Sequence, residues 1–441
     1  MRQVLANRTY RHLFLAQVIA LVGTGLATVA LGLLAYQLAG ADAGTVLGTA
    51  FAIKMVAYVG VAPVATALAN RLPRRTMLVG LDLVRAAVAL LLPFVSQAWQ
   101  VYVLIFVLQA ASAGFTPTFQ ATIPDVLPDE KDYTQALSLS RLAYDLESLL
   151  SPMLAAALLT IVSFHNLFAG TVVGFLASAA LVVSVALPSP KASERRGIYD
   201  RTTRGLRIYL ATPRLRGLWA VQSGVAAAGA MVFVNTVVLV QSAWGLGQTD
   251  VALALASFGA GSMVAALALP QALERLPERP VMLAGVAVLV FGLALGPLVN
   301  GLHSLLALWF VLGLGYSAAQ TPSGRLLRRS AHPEDRPAVY AAQFALSHAC
   351  WLVFYPLAGW LGAQAGLPWT FTVHSVAAAF ALVLALKLWP ADDPEVLEHT
   401  HQALPAGHTH AQGARAHPEG LRHAHPFVVD DLHMHWPGPE R

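Results

Sequence analysis

Twelve long apolar runs follow one another between His12 and Trp389, each near the roughly 20 residues that a helix needs to cross a bilayer. They occupy about 12–39, 45–69, 76–97, 100–124, 136–162, 165–187, 217–241, 250–272, 280–300, 303–324, 337–362 and 368–389. Charged residues are 12% of the chain, against about 25% in a soluble domain, and hydrophobic residues are 56%. A water-soluble globular fold is therefore excluded, and an all-α integral membrane protein of twelve transmembrane helices is expected. The first run is too long for a signal-peptide core and has no small-residue cleavage site before a soluble domain.

Lysine and arginine orient the chain. Arg2, Arg8 and Arg11 precede the first run, and Arg71, Arg74 and Arg75 lie between the second and third. Eight more follow the sixth run, from Lys191 to Arg216; Arg275 and Arg279 follow the eighth, and Arg325, Arg328, Arg329 and Arg336 the tenth. The alternate loops, near 40–44, 98–99, 163–164, 242–249, 301–302 and 363–367, contain neither residue. The positive-inside rule then places both termini in the cytoplasm of a multi-pass protein, expected in a bacterial inner (plasma) membrane. Residues 390–441 differ, with eight carboxylates against Arg415, Arg422 and Arg441. The basic balance thus sits on loops facing the inner leaflet and implies no nucleic-acid partner. Cys350 is the single cysteine, so neither an intrachain disulfide nor a thiolate cage is available.

The body repeats itself at an offset of 204 residues. Asn70-Arg71-Leu72-Pro73-Arg74-Arg75 returns as Glu274-Arg275-Leu276-Pro277-Glu278-Arg279, and Phe106-Val107-Leu108 as Phe310-Val311-Leu312. Pro152 returns as Pro356, and one inserted residue later Thr116-Pro117 matches Thr321-Pro322. An offset spanning six helices preserves topology, which predicts a parallel six-plus-six repeat, a secondary-transporter architecture. The expected domains are a six-helix bundle at 1–187, a linker at 188–216, a second bundle at 217–389 and a tail at 390–441.

That tail holds nine of the fifteen histidines: the pairs His399/His401, His408/His410, His423/His425 and His433/His435, with His417 alone. In an extended chain residues i and i+2 point to one side, so both rings of a pair reach one ion; on a helix they would face about 200° apart. Neutral imidazole offers a lone pair to a transition metal, and His-rich tracts read as metal binders. Pro405, Gly407, Gly413, Pro418, Gly420, Pro426 and Pro437 predict a flexible, non-helical segment. Imidazole with some carboxylate suits Ni²⁺, Cu²⁺, Zn²⁺ and, more weakly, Co²⁺.

Thr66-Ala67-Leu68-Ala69-Asn70-Arg71-Leu72-Pro73-Arg74-Arg75 is similar to a Gly-x-x-x-Asp-Arg-x-Gly-Arg-Arg loop, with the arginines kept and the glycines and aspartate replaced. That loop is a motif of the major facilitator superfamily, which residues 1 to about 389 resemble. Ser151-Pro152-Met153-Leu154-Ala155-Ala156 resembles the antiporter motif Gly-Pro-x-x-Gly-Gly, with small residues for glycines, which favours export. Asp82-Leu83-Val84-Arg85, Pro117 and Ile123-Pro124 look like the branch of siderophore and macrolide exporters. Within that branch, tail and body together are similar to nickel-resistance exporters of the NreB type. The resemblance implies export of Ni²⁺ by proton exchange.

An ionisable side chain at the centre of a membrane helix costs about 2.5–3.5 kcal/mol, which makes each one a functional candidate. Lys54, Arg141, Asp145 and Glu147 are the candidates for transport and proton coupling. A carboxylate in a central cavity binds H⁺ or a divalent cation but not easily both, the competition an antiporter needs. Lys54 would either neutralise such a carboxylate or repel cations. Asp82 and Arg85, three apart, read as a paired latch near the cytoplasmic surface, with Arg71, Arg74 and Arg75 as gating charges. His348 in the eleventh run and His374 in the twelfth read as structural.

No nucleophile–base constellation and no P-loop is present, so neither an enzyme nor ATP drive is indicated. The expected function is a proton-coupled exporter of a divalent metal, Ni²⁺ before Co²⁺ or Zn²⁺, acting as a monomer, needing no cofactor and holding the metal in its tail. Two alternatives stay open: a drug or siderophore exporter with an accessory tail, and a membrane-bound metal sensor or storage protein.

Overall fold

Helix boundaries follow local chemistry. The computed structural model describes residues 2–39, 43–69, 72–188, 197–394, 396–401, 410, 414–418 and 420–437. The first half holds α1 (Arg2–Ala6), α2 (Arg8–Ala39), α3 (Ala43–Ala69), α4 (Arg74–Leu91), α5 (Ala98–Val126), α6 (Glu130–Leu159) and α7 (Phe164–Val183). The second holds α8 (Ile198–Ala211), α9 (Pro213–Val237), α10 (Gln248–Leu273), α11 (Glu278–Leu295), α12 (Leu302–Gln320), α13 (Ser323–Arg329), α14 (Arg336–Gln364) and α15 (Leu367–Leu388). Asp129 caps α6 by accepting from the Asp132 amide at 3.0 Å, and Glu130 and Asp132 add negative charge at the positive end of that helix. Pro213 opens α9 at its first position, where no amide hydrogen is needed. Between α14 and α15 the chain reverses at Gly366, whose φ of 83° only glycine adopts without strain.

Apart from α1, α8 and α13, these helices run 18 to 32 residues, and they fall where the twelve apolar runs predict. Ten of the twelve are long and apolar enough to cross a membrane, so this is a multi-pass membrane protein. The other two, α3 and α6, carry Lys54 and the Arg141, Asp145 and Glu147 group. Phe291, Val376 and Phe380 remain exposed in the middle of their helices, the surface that lipid covers. Several buried hydroxyls bond within their own helix, as Thr122 does to the Thr118 carbonyl at 2.7 Å.

Packing repeats the sequence repeat. In the first half α2 lies on α7, α3 on α5 and α4 on α7; in the second α9 lies on α15, α10 on α12 and α11 on α15. The halves meet through α3 on α14 and through α6 on α10, the symmetry-equivalent pair. Glycines set the closest approaches. A Cβ at Gly261 would stand 2.0 Å from the Phe310 carbonyl oxygen, and one at Gly313 2.0 Å from that of Phe258, so α10 and α12 touch backbone to backbone.

The tail departs from expectation. It is non-helical as predicted, but its described residues form a three-stranded antiparallel sheet rather than a flexible segment. Strands β1 (Val396–His401), β2 (Arg415–His417) and β3 (Gly420–Pro426) stand in the order β1-β3-β2. The reason lies just beyond β3, where Phe427, Val428 and Val429 are buried, Phe427 and Val429 within the apolar core of the second half. Trp436 receives the Arg214 guanidinium over its ring at 4.8 Å. At the root of the tail, Asp393 takes Arg214 at 3.5 Å, the Trp389 indole at 3.2 Å and Arg329.

Candidate functional site

Strand register gathers the histidines. His399 stands opposite His423 and Leu397 opposite His425, so the period of two puts His399, His401, His423 and His425 on one face of the sheet. His410 and His433 join from outside the strands. Nε2 of His399 lies 3.1 Å from Nε2 of His401 and 3.0 Å from that of His433; His401 to His423 and His410 to His433 are each 3.1 Å. Ligand nitrogens of His399, His410, His423, His425 and His433 all fall within 4.8 Å of one another.

Tautomers sharpen this picture. Nδ1 of His399 donates to the Leu397 carbonyl at 3.2 Å, Nδ1 of His425 to the Pro426 carbonyl at 2.8 Å, and Nδ1 of His433 to the Asp430 carboxylate at 2.8 Å. Each Nε2 then carries a lone pair turned inward. Lone pairs facing at 3.0 Å repel unless a cation lies between them. Burial, and then the neighbouring rings, push His399, His401 and His423 down to about 4, so they are neutral at pH 7 and free to coordinate. Among the other sequence candidates, His408 lies outside the described residues, as does the side chain of His417, and His435 is exposed.

Asp430 ties the cluster to the body. Its Oδ1 accepts from the His433 ring and from the backbone amides of Leu432 at 2.9 Å and His433 at 2.8 Å. Its Oδ2 lies 3.3 Å from Nε2 of His332, in the loop before α14. Burial raises the Asp430 carboxyl, yet its hydrogen bonds from His332 and His433 hold it well below the usual carboxylate range. His332, without a partner in sequence, is raised chiefly by that same bond.

The face bearing the basic loops is latched by charge. Asp125 at the end of α5 accepts from Arg74 of its own half and from Arg336 of the other. Arg325 pairs with Glu130, and Lys131 with Glu274 at 2.8 Å, again across the halves. The Tyr133 and Tyr340 hydroxyls meet at 2.6 Å, and Tyr340 donates to the Gly324 carbonyl at 3.1 Å. Arg75 donates to the Val183 carbonyl, while Arg71 lies outside the described residues. Sequence reasoning found Asn70 where the loop motif has its aspartate, and missed that Asp125, in Pro124-Asp125, meets Arg74 instead.

Inside the bundle Asp82 and Arg85 pair, but not near the surface. Asp82 is fully buried, eight residues into α4 and so about 12 Å from its start, and Ser178 of α7 donates to it at 2.8 Å. Arg85 lies between the rings of Phe115 and Phe175, at 4.0 and 4.5 Å. The expected surface latch is therefore an internal pin between α4, α5 and α7, because burial and cation–π contacts hold it there.

Arg141 pairs with Asp145 on α6 and also crosses the interface, reaching Ser262 Oγ at 3.0 Å and Gln320 Oε1 at 2.8 Å, with its guanidinium 4.7 Å over Tyr316. Glu147 is half-buried and, among the described residues, has no partner arginine; the Lys54 charge of α3 acts on it. Lys54 Nζ stands 5.6 Å over the Tyr58 ring, and Tyr58 packs edge-on to His348 of α14 at 4.7 Å.

The Major Facilitator Superfamily model matches residues 13–240 and 218–419. The chain belongs to the major facilitator superfamily. Among its relatives in the superfamily is the uncharacterized MFS-type transporter YfiS of Bacillus subtilis, 29% identical over 27% of this chain and 28% of that one. Macrolide efflux protein A of Streptococcus pyogenes is 26% identical over 32% of this chain and 37% of that protein. The matched segments thus span about a third of these relatives. The crystal structure of the human organic anion transporter MFSD10 (TETRAN) covers 86% of this chain at a TM-score of 0.75, and the E. coli fucose:proton symporter FucP covers 87% at 0.69. Both are 14% identical, a likeness of superfamily fold.

Proposed function

We propose that this transporter exports a divalent transition-metal ion, Ni²⁺ first, in exchange for protons, with the tail collecting or sensing the ion on the cytoplasmic side. The observation that carries this reading is the convergence of six imidazoles, three of them with Nε2 lone pairs turned inward by their Nδ1 bonds, four Nε2–Nε2 separations being 3.0–3.1 Å. With metal–nitrogen bonds of 2.0–2.1 Å, ligands at right angles stand about 3.0 Å apart and tetrahedral ones about 3.4 Å. Right-angled nitrogen ligation suits Ni²⁺ or Cu²⁺, and the lack of any cysteine in the tail disfavours Cu⁺. The likeness to nickel-resistance exporters of the NreB type points the same way. The positive-inside pattern supports cytoplasmic termini, in a bacterial inner membrane, and export agrees with the efflux for which the macrolide relatives are named.

In this reading Glu147 carries the proton or the ion, and Lys54 sets its charge when the site is empty. Arg141, held by Asp145 and bridged to the second half, positions the two bundles instead of binding cargo. Metal entry to the tail is open, through a cleft of about 790 Å³ bordered by His332, His410, His423, His425 and Asp430.

A second reading is favoured by the aromatic interior. Tyr58 and Phe344 meet across the halves at 4.8 Å, and Phe233, Phe258, Tyr316, Trp351 and Tyr355 form a second contiguous set of rings. Such walls suit an apolar organic compound, as in macrolide efflux. Everted membrane vesicles under an imposed pH gradient decide between the two. Uptake of Ni²⁺, Co²⁺ or Zn²⁺ that collapses with the gradient supports metal export. Uptake of a macrolide without any metal flux overturns it, and flux of neither leaves a sensor or store.

A further inference from the structure

We propose that the histidine site is a metal-operated clasp on the inner gate, so that an ion bound in the tail strengthens the contacts closing the basic-loop face. The inference rests on the tail binding a divalent metal, as the proposed function holds. It goes further in assigning the tail a mechanical effect on the two bundles.

Two short chains of contacts lead from the histidines to the latch. In the first, the His433 ring donates to Asp430, and Asp430 bonds the His332 ring at 3.3 Å. The His332 carbonyl accepts from the backbone amides of Asp335 at 2.9 Å and Arg336 at 3.0 Å, where α14 begins. The Arg336 side chain then crosses to Asp125 of the first half. In the second, Asp431 takes Nη1 of Arg204 at 2.8 Å, and the same guanidinium grips Asp335 through two bonds, at 2.5 and 2.7 Å. Both chains end on the first turn of α14, beside the residue that closes the gate.

Metal charge acts on the first link. An imidazole that ligates a cation through Nε2 becomes a stronger donor at Nδ1, so the His433–Asp430 bond tightens. Joining β1, β3 and the 430–433 turn to one ion also fixes the turn that presents Asp430 and Asp431. A ligand shifts an equilibrium by its differential affinity for the two states. The docked turn rests on Arg204 of α8 and on His332 in the loop before α14 as they stand with the gate latched. Metal therefore favours the latched state, and by reciprocity the latched state holds metal more tightly.

Leu72 and Leu276 report on the gate. They are exposed, sit in corresponding loops of the two halves on the basic-loop face, and touch none of these contacts. Spin labels on Leu72→Cys and Leu276→Cys, with Cys350→Ala, in full-length protein in nanodiscs give their distance distribution with and without Ni²⁺, while calorimetry follows binding. Ni²⁺ is expected to raise the ratio of short to long distances about fivefold or more. The double variant His332→Ala/Asp431→Asn keeps all six imidazoles and the Asp430–His433 bond, so it should bind Ni²⁺ in the same ratio yet show no shift. Binding without a shift in the parent protein overturns the clasp and leaves metal export standing. An unchanged shift in the double variant also overturns it. Absence of Ni²⁺ binding, read directly by calorimetry, removes both readings, and metal flux in vesicles is scored separately from either.

Discussion

Arg141 of α6 donates through Nη1 to Gln320 Oε1 of α12 at 2.8 Å, bringing a first-half charge into contact with the second half in the middle of the protein. The same side chain neutralises Asp145, itself buried. Removing one member of a buried pair leaves the other uncompensated, at about 3–5 kcal/mol. Arg141→Ala should therefore lower the thermal unfolding temperature in detergent more than Arg141→Ala/Asp145→Ala does. Equal losses would show that Asp145 does not depend on this partner.

Glu147 stands in contrast, two residues further along α6 and away from the arginine. A carboxylate held by no guanidinium is the one free to exchange a proton for a cation. Glu147→Gln keeps the side-chain shape and should fold normally, yet reduce gradient-driven flux by at least about tenfold, a barrier change of ~1.4 kcal/mol. Flux at the parent rate, with the pH gradient verified, would remove Glu147 from the coupling site.

Much of this was legible in the chain. Apolar length and the 204-residue offset gave the two bundles, because both signals are set by the bilayer and by duplication instead of by long-range packing. The i, i+2 histidine spacing anticipated the shared face of β1 and β3, since a strand has period two. Three things were not legible. The Arg141–Gln320 contact joins residues 179 apart in sequence, which no local pattern records. Docking of the tail depends on Phe427-Val428-Val429, a run too short to stand out beside spans of twenty. Asp125 replaces the motif aspartate from a different helix, so a linear match to the loop could not find it.

Asp430 orients His433 without touching the ion. Outer partners of ligating histidines typically change metal affinity by about 10–100-fold. Asp430→Asn in the full-length protein should weaken tail Ni²⁺ binding by that factor with an unchanged stoichiometry, as measured by calorimetry. A change in stoichiometry instead would mean that Asp430 is needed to build the cluster.

Acid should release the metal late. The ordinary imidazole pKa is about 6.5, and burial brings His399, His401 and His423 to about 4. With the folded pKa below the unfolded one, protons favour the unfolded tail progressively from about pH 6.5 down to about pH 4. Metal binding, which also competes with protons, should persist from pH 7 to near pH 5 and fail toward pH 4. Ni²⁺ retention on the purified protein, followed by equilibrium dialysis across that range, checks this. Half-release near pH 6.5 would indicate unburied, independent rings.

Deleting residues 399–441 separates collection from transport. The deletion removes the histidine cluster, Asp430 and Asp431, but it spares Asp393, which holds Trp389, Arg214 and Arg329 at the base of the tail. It also spares the Arg204–Asp335 pair and the Asp125–Arg336 latch. Phe427 and Val429 leave the second-half core and Trp436 leaves Arg214, which should lower the unfolding temperature, but the helix packing of both bundles remains, so they should still fold and carry flux at saturating metal. Without the tail to gather ions at the inner mouth, resistance should weaken most at low metal concentration. Vesicle flux and growth on graded Ni²⁺ measure the two effects separately. Complete loss of flux in a truncation that remains folded would place the tail within the transport path itself.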